Sequence, residues 1–327
     1  MAQWIRGQYM KNNKLYISII VALVTALLIL VSQATQASAI NDTSHQVSVI
    51  VNDSNSDRWI RFRAGLDQAA KDYNINLNYV TTTKLDTFSQ EKTLIDEEVG
   101  NGTEAVILQL VNDTTDSQNY ITDMSHKTTL ALVEAGLETS PSNKSYGVTQ
   151  DDNAGMGEAL AQMVIDRTDN HTKETIGIVT GDSFSAKARY NAMVKLFAEK
   201  NITVSWVIPS TEELPFKLSE QSVSTVVTLD NDTLEETATL FKDAKQKPQL
   251  YGVGCSDKSI YYLDNGKIAG MIVPNEYTMG YLSLSKVAMY LNDHLYKISD
   301  SVVNYFTITK ENLYSTENQK MIFPIVG

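Results

Sequence analysis

The sequence predicts an α/β protein of two lobes, each built on a parallel sheet with helices on both faces. Three observations carry this expectation. Short apolar runs alternate with amphipathic stretches from about residue 46 onward, and the alternation starts again as a second series after Asp151. The length, 327 residues, is also about twice the ~150 of a common single domain.

The first series opens with QVSVIV (46–51), read as a buried strand. Residues 57–72 follow as a helix with Trp59, Phe62, Leu66, Ala69 and Ala70 on one face. Strands are expected at 75–80, 105–110, 129–133 and 145–148, with helices at 89–99 and ending near 121–126. In the second series helices are expected at 154–165, 185–200, 234–244, 256–265 and 279–292, with a weaker one at 213–221. Its strands are expected at 175–179, 203–208, 225–229, 249–253 and 268–273. With only 16 Gly and 6 Pro and no linker-like stretch, the halves should sit tightly together. Ligands of open parallel sheets bind beyond the carboxyl ends of the strands, so the residues following each strand become the candidates.

Composition limits the function. Hydrophobic residues are 43% and charged residues 20%, enough for a packed core. Arg6, Lys11 and Lys14 are the charges of the first 40 residues, and the rest of the chain is more acidic than the overall net of −12. Such a surface repels phosphate backbones, which excludes nucleic acid as a partner. Cys255 stands alone and the four histidines are scattered, so neither an internal disulfide nor a zinc site is expected, and no metal or cofactor. GxxxxGK[ST], GxSxG and HExxH are all missing, and nothing else points to an enzyme.

The front of the chain sets the compartment. Residues 15–31 (LYISIIVALVTALLILV) are almost wholly apolar and follow basic residues, as a cytoplasmic N-terminus requires. Seventeen residues cover about 26 Å of a bilayer core about 30 Å thick, and the uncharged stretch to Ile40 makes spanning easy. Ala37-Ser38-Ala39 offers a signal-peptidase site, so residues 1–40 read either as a cleaved signal peptide or as a membrane anchor. No cysteine lies near the segment to accept a lipid. Either way, residues beyond 45 face the outside of the cell.

Five segments then line up in order: NDSNSDRWIRFRAG after the first strand, GVTQDDNAGMGEAL, IGIVTGDSFSAKARYNAMVKLF, YGVGCSDKSIYYLDNGKIAGMIVPNEYTMGY and VNYFTITKENL. Over about 46–310 the chain resembles the type I periplasmic binding proteins, in particular the ribose- and xylose-binding group of bacterial ABC transport. The resemblance implies two Rossmann-like lobes, residues 46–149 with 275–305 and residues 150–274 with 306–327, joined by crossings near 149, 275 and 305. It also implies a sugar held between the lobes by aromatic rings and by charged planar groups that pair with hydroxyls.

Carried over position by position, the ligand contacts implied are Asn55, Arg58 and Trp59, with Ser56 beside them, then Glu134, Lys187, Asp230 and Asn275. Ala135, Gly254 and Pro274 stand where the family has an Arg, an Asp and a polar hinge residue, so an ordinary pentose pocket is altered. Three of these positions have plainer readings. Trp59 lies on the apolar face of its helix and suits the core. Lys187 and Arg189 suit a helix start, although cations there oppose the helix dipole. The acids of 230–236 suit a helix cap better than a calcium loop.

The function expected is therefore an extracytoplasmic binding protein for a small sugar-like ligand. It would deliver the ligand to a membrane permease or report it to a sensor histidine kinase. The alternatives are a scaffold or co-sensor whose degenerate pocket meets a protein partner, and a transcription factor of the same fold. The last would need a basic helix-turn-helix where the apolar span stands.

Overall fold

The computed structural model describes residues 24–25, 44–56, 58–112, 114–135, 146–167, 175–181, 183–242 and 247–322. The chain divides at Ser44/His45 into two units. Of the first, Val24 and Thr25 are helical, and the rest of the expected signal or anchor 1–40 lies outside the described residues, as do Asp57 and Asp182. Among the described residues no helix is long and apolar enough to cross a membrane.

The second unit holds two six-stranded sheets. The first is built from β1 (His45–Ile50), β2 (Ile75–Tyr79), β3 (Ala105–Gln109), β4 (Thr129–Val133), β5 (Tyr146–Asp151) and β11 (Ser301–Val303), ordered β11-β5-β4-β3-β1-β2 and parallel throughout. The second contains β6 (Ile176–Val179), β7 (Val204–Ile208), β8 (Thr225–Thr228), β9 (Gln249–Val253), β10 (Gly270–Pro274) and β12 (Tyr305–Ile308), ordered β12-β10-β9-β8-β6-β7. Only β12 runs antiparallel there.

Both sheets bury both faces, and the period of two shows it. Val47, Val49, Ala105, Ile107, Ala131 and Val133 share one core with Trp59, Phe62 and Leu66 of α1 (Trp59–Tyr73) and with Met279, Leu284 and Val287 of α9 (Glu276–Asn292). Their neighbours Val106, Leu108, Leu130 and Leu132 pack on the other face, against Ile95 of α2 (Phe88–Gly100) and Ile121 of α3 (Thr115–Met124). In the second sheet one face meets α4 (Asn153–Arg167) and α5 (Phe184–Glu199). The other meets the short α6 (Leu214–Glu220), α7 (Asn231–Phe241), α8 (Asp257–Asp264) and α10 (Thr316–Ile322).

The chain leaves the first sheet after Asp151, two residues beyond the expected crossing near 149, because β5 pairs with β11 as far as Asp151↔Val303. It returns between β10 and α9, at Asn275. The tail, expected as one closing strand, is two: β11 belongs to the first sheet and β12 to the second, so the last crossing falls at Asn304. Helices α7 and α9 begin three residues earlier than expected from their first apolar residues. Asp230 and Asn275 cap them, accepting from the backbone N–H of Thr233 (2.9 Å) and Thr278 (3.2 Å). The strand expected at 268–273 is Gly270–Pro274; Pro274 is tolerated because pairing with β9 has already ended at Ile272↔Val253.

Helices α1 and α9 cross so closely that glycine is required at the contact. A Cβ on Gly280 would lie 2.1 Å from the Phe62 carbonyl oxygen, and one on Gly65 would lie 2.0 Å from that of Tyr277. Gly280→Ala should therefore destabilise the protein by about 1–3 kcal/mol in urea titration, overpacking outweighing the better helix former. Gly100→Ala, with nothing within 4 Å of its Cβ, should be neutral or stabilising.

Candidate functional site

Arg58 caps the N-terminus of α1 and Arg61 stands in its first turn, which holds no acid. Cations at a helix N-terminus oppose its dipole, so their compensation has to come from elsewhere in the fold. Arg58 finds it in Glu134, the residue directly after β4. One guanidinium nitrogen, Nη2, donates to both carboxylate oxygens at 2.8 and 2.7 Å. Gln109, ending β3, donates from Nε2 to the same carboxylate at 2.8 Å. Glu276, at the start of α9, comes within 3.9 Å of Arg58. The guanidinium also lies 4.2 Å over the Trp59 ring. Burial works against the Arg58 charge, but Glu134 and Glu276 outweigh it and hold the group more firmly protonated than usual.

Arg61, one helical turn on, reaches across to the second half. It donates to the carbonyl of Cys255 just after β9, to the carbonyl of Ile322 at 2.7 and 3.1 Å, and to Asp257 Oδ1 at 3.2 Å. Arg58 and Arg61, three residues apart, thus divide the work: one neutralises the floor of its own half, the other clasps the opposite half.

A second pair sits beside the first crossing. Asp151, the last residue of β5, lies 3.6 Å from Arg189 of α5, which donates from Nη1 to the Leu229 carbonyl at 2.9 Å. Both residues are buried, and four side chains here have atoms with no hydrogen-bond partner: Asp151 Oδ1 and Oδ2, Asn153 Oδ1, Arg189 Nε and Glu276 Oε2. Buried polar atoms are almost always satisfied in folded proteins, so such a set at the carboxyl ends of strands makes this the candidate site.

Burial pushes the Asp151 carboxyl up to about 7, with Arg189 opposing the shift. It pushes Glu276 up to about 8, with Arg58 opposing and Glu134 and Asp151 adding to the rise. Cys255 is buried and free, and burial raises its thiol well above its ordinary value, so it is a poor nucleophile. Among the described residues no group of three or more His, Cys, Asp or Glu is placed to hold a metal ion.

The seven positions carried over from the sequence fare differently. Arg58, Glu134 and Trp59 meet as described, but Trp59 is 1% exposed and packs edge-on against Phe62, with its indole N–H given to the Asn52 carbonyl at 3.0 Å. Its face is covered by Arg58, so it is a core residue supporting the arginine and not an open stacking platform. Asp230 and Asn275 are at the expected strand ends, with side-chain oxygens occupied in capping. Asn55 and Lys187 are exposed. Ala135 is buried in a core, and a Cβ on Gly254 would meet Leu234 at 2.9 Å, so both departures from the family pattern are filled by packing. Sequence reasoning did not single out Asp151, Asn153 or Glu276, which the fold places together with Arg189, and read Arg189 as a helix-start residue. The available signal was position: Asp151 ends a strand, and Asn153 and Glu276 each follow one by two residues.

The comparisons with known proteins agree with this fold. The family model described as "Periplasmic binding protein domain" matches residues 47–294. The chain belongs to the periplasmic binding protein family. Its fold is type I. A search of curated proteins found no match. Among solved structures, a carbohydrate transporter solute-binding protein from Agrobacterium radiobacter in complex with D-arabinose superposes with a TM-score of 0.76 at 16% identity, covering 86% of this chain and 99% of that one. GanP, a glucose-galactose binding protein from Geobacillus stearothermophilus, gives 0.72 at 17% identity, with 83% and 99% covered. The XylFII–LytSN complex gives 0.70 at 16% identity, with 82% and 98% covered. At these identities the likeness concerns the fold.

The raised carboxyls set the sign of a pH effect. Asp151 and Glu276 hold their protons in the folded protein where the unfolded chain has lost them. Their contribution is full below about pH 4 and is lost as pH rises toward about 7 and 8. Between pH 5 and 8 the unliganded melting temperature of Asp151→Asn or Glu276→Gln should therefore fall less than that of the wild type. The gap should be several degrees, since each kcal/mol is worth about 2–4 °C in domains of 150–250 residues. Parallel melting curves for wild type and variants would contradict it.

Proposed function

We propose that this periplasmic binding protein is an extracytoplasmic solute receptor, not an enzyme, that closes on a small polar ligand of the sugar or sugar-derivative class. The observation that carries the reading is the set of buried polar atoms without partners, contributed by Asp151, Asn153, Arg189 and Glu276 where the strands of both sheets end. Hydroxyls donate and accept at once, and so suit a mixture of carboxylate, amide and guanidinium groups. The two lobes would rotate about the crossings after Asp151, at Asn275 and at Asn304, with the ligand favouring the closed form because it then touches both halves.

The closed state would be read at the membrane, by a permease or by a sensor histidine kinase. Kinase reporting is favoured by the apolar N-terminal segment without a lipid-accepting cysteine, and by the likeness to XylFII, whose structure includes a complex with LytSN. The segment 1–40 would then tether the protein outside the cell, or be cleaved to release it. A scaffold reading has one observation in its favour: Arg58 and Glu134 already satisfy each other where a sugar's hydroxyls would be gripped.

Thermal unfolding against a panel of pentoses, hexoses and nucleosides separates the readings. A true ligand at 100-fold its Kd should add about 2.7 kcal/mol of stability. Asp151→Asn and Asn153→Ala should lose most of that gain while keeping the unliganded fold. No response to any compound would favour the scaffold.

The Arg61 clasp makes a separate prediction. Arg61→Ala removes hydrogen bonds to Cys255, Ile322 and Asp257, and small-angle scattering should show a larger radius of gyration for the unliganded variant. Saturating ligand should restore the compact value. An unchanged radius would show that the halves are held by other contacts.

A further inference from the structure

Acids outnumber the arginines around the site, although burial holds protons on two of them, Asp151 and Glu276. Glu134, Asp151, Asp152, Asp232 and Glu276 all interact electrostatically with one another or with the arginines there. Against them stand Arg58, Arg61 and Arg189. Each arginine is already engaged: Arg58 by Glu134, Arg61 by two carbonyls and Asp257, Arg189 by the Leu229 carbonyl and Asp151. What remains unsatisfied is lopsided too. Four buried oxygens lack partners, Asp151 Oδ1 and Oδ2, Asn153 Oδ1 and Glu276 Oε2, against one nitrogen, Arg189 Nε. The four side chains are at most 6% exposed.

A neutral polyol brings donors and acceptors in equal measure. An ammonium group brings three donors, no acceptor and a positive charge against which the two protonated acids can ionise. We propose that the preferred ligand is an aminated sugar or polyol whose ammonium is received by Asp151 and Glu276. The inference rests on the small-ligand reading above and narrows it. It also gives the two raised carboxyls a purpose: they keep protons in the empty site and release them to solvent as the ammonium arrives. Every charged group facing them takes part in that balance: Arg58, Arg61 and Arg189 favour ionisation, while Glu134, Asp152 and the burial itself oppose it.

The test uses matched pairs: D-glucosamine with D-glucose, D-galactosamine with D-galactose and D-mannosamine with D-mannose, together with D-xylose and D-arabinose. Titration calorimetry on the whole extracytoplasmic portion should show at least one amine bound ten-fold or more tighter than its neutral partner. Its affinity should rise between pH 5.5 and 7, and the heat should depend on the buffer's ionisation enthalpy, reporting proton release. Glu276→Gln and, separately, Asp151→Asn should erase the preference for the amine. A neutral sugar binding as tightly as its amine overturns the inference but leaves the receptor reading standing. Preference retained in both variants overturns the assignment to these carboxylates, and silence from every compound overturns both readings.

Discussion

Arg58 places a positive charge at the N-terminus of a helix, over an indole ring, at a point where two sheets end. None of these three surroundings favours a cation except the ring. The arrangement exists because Glu134 is fixed beneath it, with Gln109 holding the carboxylate from the side. Losing Arg58 would leave the buried Glu134 carboxylate without its cation, which is costly because a buried charge needs a partner. The parallel order of the strands makes the pair possible. Parallel strands deliver all their carboxyl ends to one edge, so residues far apart in sequence, such as 58, 109, 134 and 276, arrive together.

The same edge is where the chain changes sheets. Asp151 and Asn153 flank the first crossing, Glu276 follows the second, and the Asp152 amide donates to the Val303 carbonyl of the third at 3.1 Å. Partnerless polar atoms therefore sit on the segments that would have to twist if the halves opened. A ligand satisfying Asp151 and Glu276 would act directly on those segments, with no relay through either core. Small rearrangements at packed junctions become discrete movements because the cores on both sides do not deform continuously.

Much of the fold was legible in the sequence because burial on both faces of a parallel sheet leaves a strong local mark. The runs TLALV and QLYGV, for instance, coincide with β4 and β9 residue for residue. Helix starts were less legible where a polar cap precedes the apolar pattern, as at Asp230 and Asn275. The doubled tail strand was hidden because two three- to four-residue strands separated by Asn304 read as one run. At the candidate site, the resemblance named Arg58 and Glu134, which the fold brings together, but not Asp151, Asn153, Arg189 or Glu276, which it buries nearby. A buried charge has no local signature: the acidic start of α9 reads as an ordinary first-turn acid, and only the packing of Arg58 against it shows otherwise. Lys187 had the right residue type in a helix after a strand, yet the buried cation of that helix is Arg189, two residues on.

The two arginines of α1 also separate closure into parts with different dependences. Arg61 spends its donors mainly on backbone carbonyls, which neither titrate nor leave, so its grip on the second half is indifferent to pH. Asp151 and Glu276 are the opposite, their charge set by protons and by whatever occupies the site. A latch that always pulls the halves together needs only a modest additional free energy to decide between open and closed, and a ligand shifts that equilibrium only by its difference in affinity for the two forms. On the reading proposed above, the acids would supply that difference, since ionised around a donor-rich guest they would contribute more than protonated in the empty site. Sensitivity to the ligand would then reside in groups distinct from Arg61, which joins the halves.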